Sequence, residues 1–477
     1  MITAKNIKKN LEIIRSDLTK MTTIKELIDY IPFSKIRLIA AFLCLLWIFS
    51  PVCIMIKSVF LNNHDVVYYY INRFELGVSW YILLQQIGLL GCLLMLLVII
   101  KKLVDTSGLK SQRKELVYNH KPAFILLCLL SWAILSTAFS ENFRLSLHGS
   151  EYRHDGLISY IAYTGLFFCG YISNEKQIFL KALNWFVWTS SLLAFLMLID
   201  IEYINRLFTF HPNSAVFYNI NHFAYYLCMA IMSSVALYMI KNNSDPQRKQ
   251  FMLCFIVLVA SLVKNRSFGP YLAVVAGIFF ILVSVILYNR NYIKDIVIII
   301  SIFAITSLIM NILYGVIGVE IIKLISGIND IIQETETAGK AGSGRWEIWT
   351  HGLKFITEKP IFGYGPENLG ARYLAEGISH DRPHNEFIQI AASLGVPALI
   401  FYLLALLRNF STLFINRKSL TITIITLNAI IVAYLVSSFF GNTMFYTSPF
   451  YFMLLGITMG NIVSWEKTIA EENESLQ

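Results

Sequence analysis

The sequence predicts an all-α polytopic membrane protein with about twelve transmembrane helices and one large external loop between the ninth and tenth. Three observations predict it. Of the 477 residues, 56% are hydrophobic and only 14% charged, with a mean hydropathy of +0.61. A soluble domain has roughly 25% charged residues and needs them to cover its surface. Apolar runs able to cross a hydrocarbon core, which takes about 20 residues each, recur along the chain. The segments joining those runs alternate between rich and poor in lysine and arginine, as the positive-inside rule requires.

Residues 1–37 form a basic N-terminal segment. Ile7, Leu11, Ile14, Leu18 and Met21 recur at three- and four-residue spacing, with Lys5, Lys8, Lys9 and Arg15 between them. That pattern predicts an amphipathic helix on an anionic inner leaflet, with an ordinary solvated tail as the plainer alternative. Thr23 and Glu26 have the spacing of a capping box for a second short helix. No cleavable signal peptide is expected before the first run, which starts near Leu38.

Residues 38–315 hold nine predicted spans, at 38–60, 80–100, 121–139, 156–172, 181–200, 219–240, 250–264, 268–288 and 294–315. Residues 316–384 form the large external loop. Residues 385–464 hold three more spans, at 385–407, 419–440 and 446–464, and 465–477 form a tail. With the N-terminus inside, the inner segments hold 25 of the 39 Lys and Arg and the outer ones 13, Lys57 being the remaining one. Both termini are therefore expected in the cytoplasm. The net charge of +9 comes from these clusters and marks membrane orientation, not nucleic-acid binding. All seven cysteines (Cys44, Cys53, Cys92, Cys128, Cys169, Cys228, Cys254) fall in apolar runs. They read as small buried residues, with neither a disulfide framework nor a zinc pattern.

The chemistry-bearing residues cluster outside the spans. Ser343-Gly-Arg-Trp-Glu-Ile-Trp-Thr-His-Gly-Leu-Lys354 places Trp346, Trp349 and Leu353 at helical spacing, with Arg345 in the first turn beside Gly342 and Gly344. Backbone N–H groups and a guanidinium converging there suit an anion; the plainer reading is a surface arginine paired with Glu347 or a lipid phosphate. Lys359-Pro-Ile-Phe-Gly-Tyr-Gly-Pro-Glu-Asn368 is a rigid turn without the lysine and hydroxyl of a phosphate loop. In Ser379-His-Asp-Arg-Pro-His-Asn-Glu386, Pro383 is placed to start a helix with His384 and Asn385 in its first turn. A histidine there can take a proton from a sugar hydroxyl, or merely hydrogen-bond at an interface; His380 is the weaker candidate.

Lys264-Asn-Arg-Ser-Phe-Gly-Pro270 sets two cations in a tight turn between spans. Lys264 reads as snorkelling to headgroups, Arg266 as facing a polar cavity. Arg153 in Gly149-Ser-Glu-Tyr-Arg-His-Asp-Gly156, and Asn219 and Asn221 in Tyr218-Asn-Ile-Asn-His222, carry a weaker version of the same argument. No Asp-x-Asp metal motif, Walker motif or dinucleotide fingerprint occurs, and no span holds a chain of carboxylates.

Arg345-Trp346, then Pro360, Gly363 and Gly365, then Pro383-His-Asn-Glu386 and Leu394-Gly-Val-Pro397 resemble the O-antigen ligase and polymerase family. Its members are bacterial membrane glycosyltransferases that use undecaprenyl-diphosphate-linked glycans. The close resemblance covers about residues 343–402, and the Arg266 turn and Gly149–Gly156 also look like that family. Asn265 stands where family members often carry Ser or Thr. The resemblance implies a C-type glycosyltransferase-like fold in the cytoplasmic membrane, with reaction at the outer face. By motif position, Arg266 and Arg345 would hold the lipid diphosphate and His384 would be the base. Arg153, Arg382, Asn385 and Glu386 complete the expected substrate-binding set. No cofactor and no metal are implied. The expected partners are the lipid-linked donor, a glycan or lipid-linked acceptor, membrane lipids, and other envelope polysaccharide assembly proteins. Polymerase and ligase activities both fit. A lipid-linked glycan transporter, and a metal-dependent transferase using Asp65, are the alternatives.

Overall fold

The computed structural model describes residues 12, 16, 19–23, 25, 26, 30–61, 66–105, 120–208, 210, 213–217, 219–333, 341–415 and 420–475. Asp65, Tyr218 and the N-terminal Ile7, Leu11, Ile14 and Leu18 lie outside them. Thr23 and Glu26 are described. Glu26 N–H donates to Thr23 Oγ1 at 3.2 Å, but the Glu26 carboxylate accepts from Thr22 N–H at 2.9 Å, one residue before the expected partner.

The regular elements of the described residues are helices: α1 Phe33–Leu61, α2 Val66–Asp105, α3 Lys121–Ala138, α4 Phe143–His148, α5 Leu157–Ile172, α6 Lys176–Ile199, α7 Glu202–Leu207, α8 Ile220–Ile240, α9 Gln247–Asn265, α10 Phe268–Tyr288, α11 Ile293–Tyr314, α12 Val316–Ile332, α13 Ala341–Glu358, α14 Leu369–Ala375, α15 Glu386–Leu394, α16 Val396–Ile415, α17 Ile422–Ser438 and α18 Ser448–Ser475. The chain is a polytopic membrane protein. Among the described residues, eight helices are long and apolar enough to cross a bilayer, and α5 and α17 are shorter apolar helices. Each of the twelve apolar runs lies on helix, with one correction. The run 385–407 is two helices, broken where Gly395 turns to φ +91°. A Cβ there would fall 1.9 Å from Ile361 O, and Val396 N–H donates to Pro360 O at 2.8 Å. The break therefore seats the Pro360–Gly365 turn in the helix bundle.

Helices α5 and α8 are buried along most of their lengths and form the centre of the bundle. Small residues set how closely α5 packs. A Cβ on Gly165 would fall 1.8 Å from Gly88 O on α2, so the two backbones touch. Membrane helices lack a hydrophobic force between them and rely on such close van der Waals approach. Peripheral helices expose their apolar faces instead, as α11 does at Leu308, Ile312 and Leu313.

The late loop folds. Ile348, Phe355, Tyr364, Leu369, Tyr373 and Ile378 form a small core of their own with Ala392. The buried face of α13 is thus Ile348–Phe355; Trp346 and Leu353, expected on one face with Trp349, are 40% and 53% exposed. The end of α3 and the segment that follows it, through α4, close against this loop. Ser136 Oγ donates to Phe362 O at 2.6 Å, Ser146 Oγ to Pro366 O at 3.1 Å, and Lys359 pairs with Glu141 at 2.5 Å. Sequence segments more than 200 residues apart therefore form one face of the molecule, here called the loop face.

Candidate functional site

At the centre of the loop face lies a buried ionic brace. Arg382 is 3% exposed. Its Nη1 donates to Asp155 Oδ2 at 3.1 Å and to Thr443 O at 2.7 Å, and its Nη2 to Glu367 Oε1. Asp155 also accepts from the Tyr163 hydroxyl at 2.6 Å, from Thr443 Oγ1 and from Gln389 Nε2 at 3.4 Å. Glu367 accepts from Ser150 N–H and Oγ at 3.2 and 2.8 Å. Charges this buried require such complete pairing. Arg382, expected to contact substrate, is turned inward because Asp155 from a distant segment and Glu367 from its own loop enclose it.

Beside the brace, Arg153 forms a bidentate pair with Asp381, at 2.8 Å from Nε and 3.2 Å from Nη2. The Gly149–Gly156 hairpin aims it. A Cβ on Gly149 would fall 2.5 Å from Asp155 N, so the two ends of the hairpin meet closely.

His384 stands next to these groups. It does not lie in the first turn of a helix, as Pro383 led the sequence reading to expect. Asn385 is the N-cap of α15, its Oδ1 accepting from Phe387 and Ile388 N–H at 3.0 and 3.1 Å, and His384 precedes it with φ +49°. Non-glycine residues in this region cost roughly 1–2 kcal/mol, and such residues gather at functional sites. Here His154, Arg266, Glu367 and His384 all adopt it. Asn442 Nδ2 lies 3.1 Å from His384 Nδ1, and the His380 ring centroid lies 6.0 Å from that of His384. Burial, and then the nearby Arg345 guanidinium, hold the His384 pKa down to about 4.

Arg345 sits in α13, four residues after its start. The helix therefore begins earlier than expected, and Gly344 keeps φ +81° just before the arginine. Trp349, one turn on, meets the Phe440 ring with centroids 6.4 Å apart.

Arg266 is the left-handed C-cap of α9, at the tight turn the sequence predicted. It is exposed. Its neighbours fix the turn: Asn265 Nδ2 donates to Asn213 O at 2.5 Å and Ile220 O at 3.0 Å, and Ser267 Oγ to Asn221 Oδ1 at 3.2 Å. Asn219 caps α8. A Cβ on Gly269 would meet Phe440 at 3.0 Å, so Phe440 stands between the Arg266 turn and the Arg345 helix. The structure thus gathers His384, Arg345 and Arg153, with Arg266 across one aromatic ring. Lys264 does not snorkel: it is 6% exposed and pairs with Asp200 at 2.9 Å.

Glu386 also faces inward. It is 1% exposed and accepts from the Tyr434 and Tyr402 hydroxyls at 2.8 and 3.2 Å. Asn385 and Glu386 thus fix α15 rather than reach into open space. Asn442 had no sequence signal: it lies 58 residues from His384 in an unremarkable stretch.

No curated protein matches the chain. The model of the O-antigen ligase family (Wzy_C) matches residues 253–403. The matched segment runs from α9 to α16 and holds Arg266, Arg345 and His384. Over this segment the chain is similar to the O-antigen ligase family, which supports a membrane glycan-processing role of that type.

Proposed function

We propose that the protein transfers an undecaprenyl-diphosphate-linked glycan onto an acceptor sugar hydroxyl at its loop face. The observation that carries this reading is the half-buried His384, set beside Arg345 within the family-matched segment. The acceptor oxygen attacks the anomeric carbon, and the bond from that carbon to the diphosphate oxygen breaks. The proton passes to His384, the configuration inverts, and undecaprenyl diphosphate leaves. Negative charge develops on the leaving diphosphate, where Arg345 and Arg266 stabilise it; one well-placed donor is worth roughly 2.7–4 kcal/mol in other enzymes. Arginines here take the part that a divalent metal plays in other transferases.

A base with a pKa near 4 stays unprotonated but is weak, and general-base efficiency peaks near the working pH. The bound diphosphate would correct this. Its charge offsets that of Arg345, one of the groups that hold the His384 pKa down, so donor binding raises the basicity of the ring. Asn442 holds the ring at Nδ1: as placed, its Nδ2 faces Nδ1, and turning the amide so that Oδ1, which has no partner as placed, accepts from Nδ1–H leaves Nε2 free to take the proton.

The loop face is expected on the outer side of the bacterial cytoplasmic membrane, with both termini inside. The test is purified protein with a defined lipid-diphosphate glycan, candidate acceptors and a chelator. Transfer in the presence of chelator supports the proposal. No transfer, with donor movement across vesicles, would favour a transporter; transfer abolished by chelator would favour a metal-dependent enzyme. A lipid-linked acceptor would mark a polymerase and a lipid-core acceptor a ligase.

A further inference from the structure

Helix α12 leaves the end of α11 through a single left-handed residue, Gly315 at φ +66°. Asn311 Oδ1 accepts the Ile317 N–H at 2.8 Å and fixes the turn. Along α12, Ile321, Ile325, Ile328 and Ile332 recur at four, three and four residues, which places them on one stripe. They are 42%, 55%, 47% and 73% exposed. On the other side of the helix Glu320 pairs with Lys323 at 2.8 Å, Gly327 is buried, and α12 packs on α13. The helix thus packs through its Gly327 side, keeps Lys323 at the surface and turns its isoleucine stripe outward, with Val319 and Ile322 also exposed. In water such a stripe would be an association hazard.

We infer that α12 is an interfacial helix whose isoleucine stripe lies in the acyl-chain boundary of the leaflet on the loop face. The occupant follows from continuity. The stripe begins where α11 ends, and α11 is a candidate membrane span that exposes Leu308, Ile312 and Leu313 up to its last turn. The lipid covering those side chains continues onto α12. Amphipathic helices of this kind seat their apolar face about 5–10 Å into the headgroup and acyl boundary. Because α12 packs on α13, it also holds the helix bearing Arg345 at the level of the lipid surface, where a membrane-anchored diphosphate would arrive. That consequence rests on the proposed reaction; the lipid contact does not.

The test uses the full chain in phosphatidylcholine–phosphatidylglycerol vesicles, with the native exposed cysteines Cys53 and Cys128 replaced by serine. A fluorophore is placed at Ile325→Cys in one sample and at Lys323→Cys in another. The expected result is several-fold stronger quenching of the Ile325 label by shallow acyl-chain nitroxide lipid than by aqueous iodide, with the order reversed at Lys323. Equal iodide quenching at both positions would overturn the inference, since the stripe would then face water. Protection from both quenchers with energy transfer between copies would also overturn it, because a second copy would be the occupant. Neither outcome depends on whether glycan is transferred.

Discussion

Replacing Arg382 with methionine tests whether the ionic brace holds the loop face together. Arg382→Met keeps most of the side-chain volume but leaves Asp155 and Glu367 buried with no cation between them. Breaking a buried pair from one side costs about 3–5 kcal/mol. Asp155→Asn is milder, because Glu367 still pairs with Arg382 and the amide still accepts from Tyr163; the loss there should be about 1–3 kcal/mol. The double variant should lose less than the two single variants combined, with a coupling of roughly 0.5–3 kcal/mol. Unfolding by SDS titration in mixed micelles, followed by tryptophan fluorescence, measures all three. Arg206→Ala is the control, since that arginine pairs on the exposed surface with Glu202. A shift for Arg382→Met no larger than that control, or strict additivity in the double variant, would refute the brace.

The remaining predictions concern the proposed reaction and topology. Arg345→Ala should lower transfer by about 10²–10³-fold, and Arg345→Lys should also be impaired because a point charge lacks the bidentate fork; wild-type turnover in either removes Arg345 from the site. The acid limb of kcat/KM should fall near pH 4, since protonating His384 in the free enzyme removes the base, whereas the limb of kcat should lie higher because bound diphosphate offsets Arg345. Coincident limbs near pH 6.5 would contradict this. Asn442→Ala should cut kcat while donor affinity holds, and Asn442→Asp should move the acid limb upward by favouring the imidazolium; an unchanged pH profile in the aspartate variant would count against ring positioning. Ser379→Cys, which is exposed, should react with an impermeant thiol reagent only from outside intact cells; labelling only from within inverts the orientation.

The helices were legible because an apolar run of membrane length has few other structures open to it. Legibility failed where one residue decides the backbone. Leu394-Gly-Val-Pro397 lies inside a continuous apolar run, so period and hydropathy pass over the break at Gly395 that seats the Pro360–Gly365 turn. Pro383 gave a sound helix-start signal, but the Asn385 side chain supplies the cap and leaves His384 outside the helix in a left-handed conformation. Charges were harder to place than helices. Arg153, Lys264 and Arg382 all read as cations facing substrate or headgroups, yet each has a carboxylate partner remote in sequence: Asp381, Asp200 and Asp155. Burial of such pairs depends on tertiary closure, which no local pattern records. Local pattern drew attention to Arg345 and His384 and the resemblance implied their roles, whereas Asn442 carried no signal because only the fold brings it to the ring.

The central claim is that His384 takes the proton from the acceptor hydroxyl. Single-turnover transfer by purified His384→Ala, alongside donor-binding affinity, tests it most directly. The account predicts donor binding close to wild type and a chemical step slower by about 10²-fold or more. Near-normal transfer by a His384→Ala protein that folds and binds donor would contradict it.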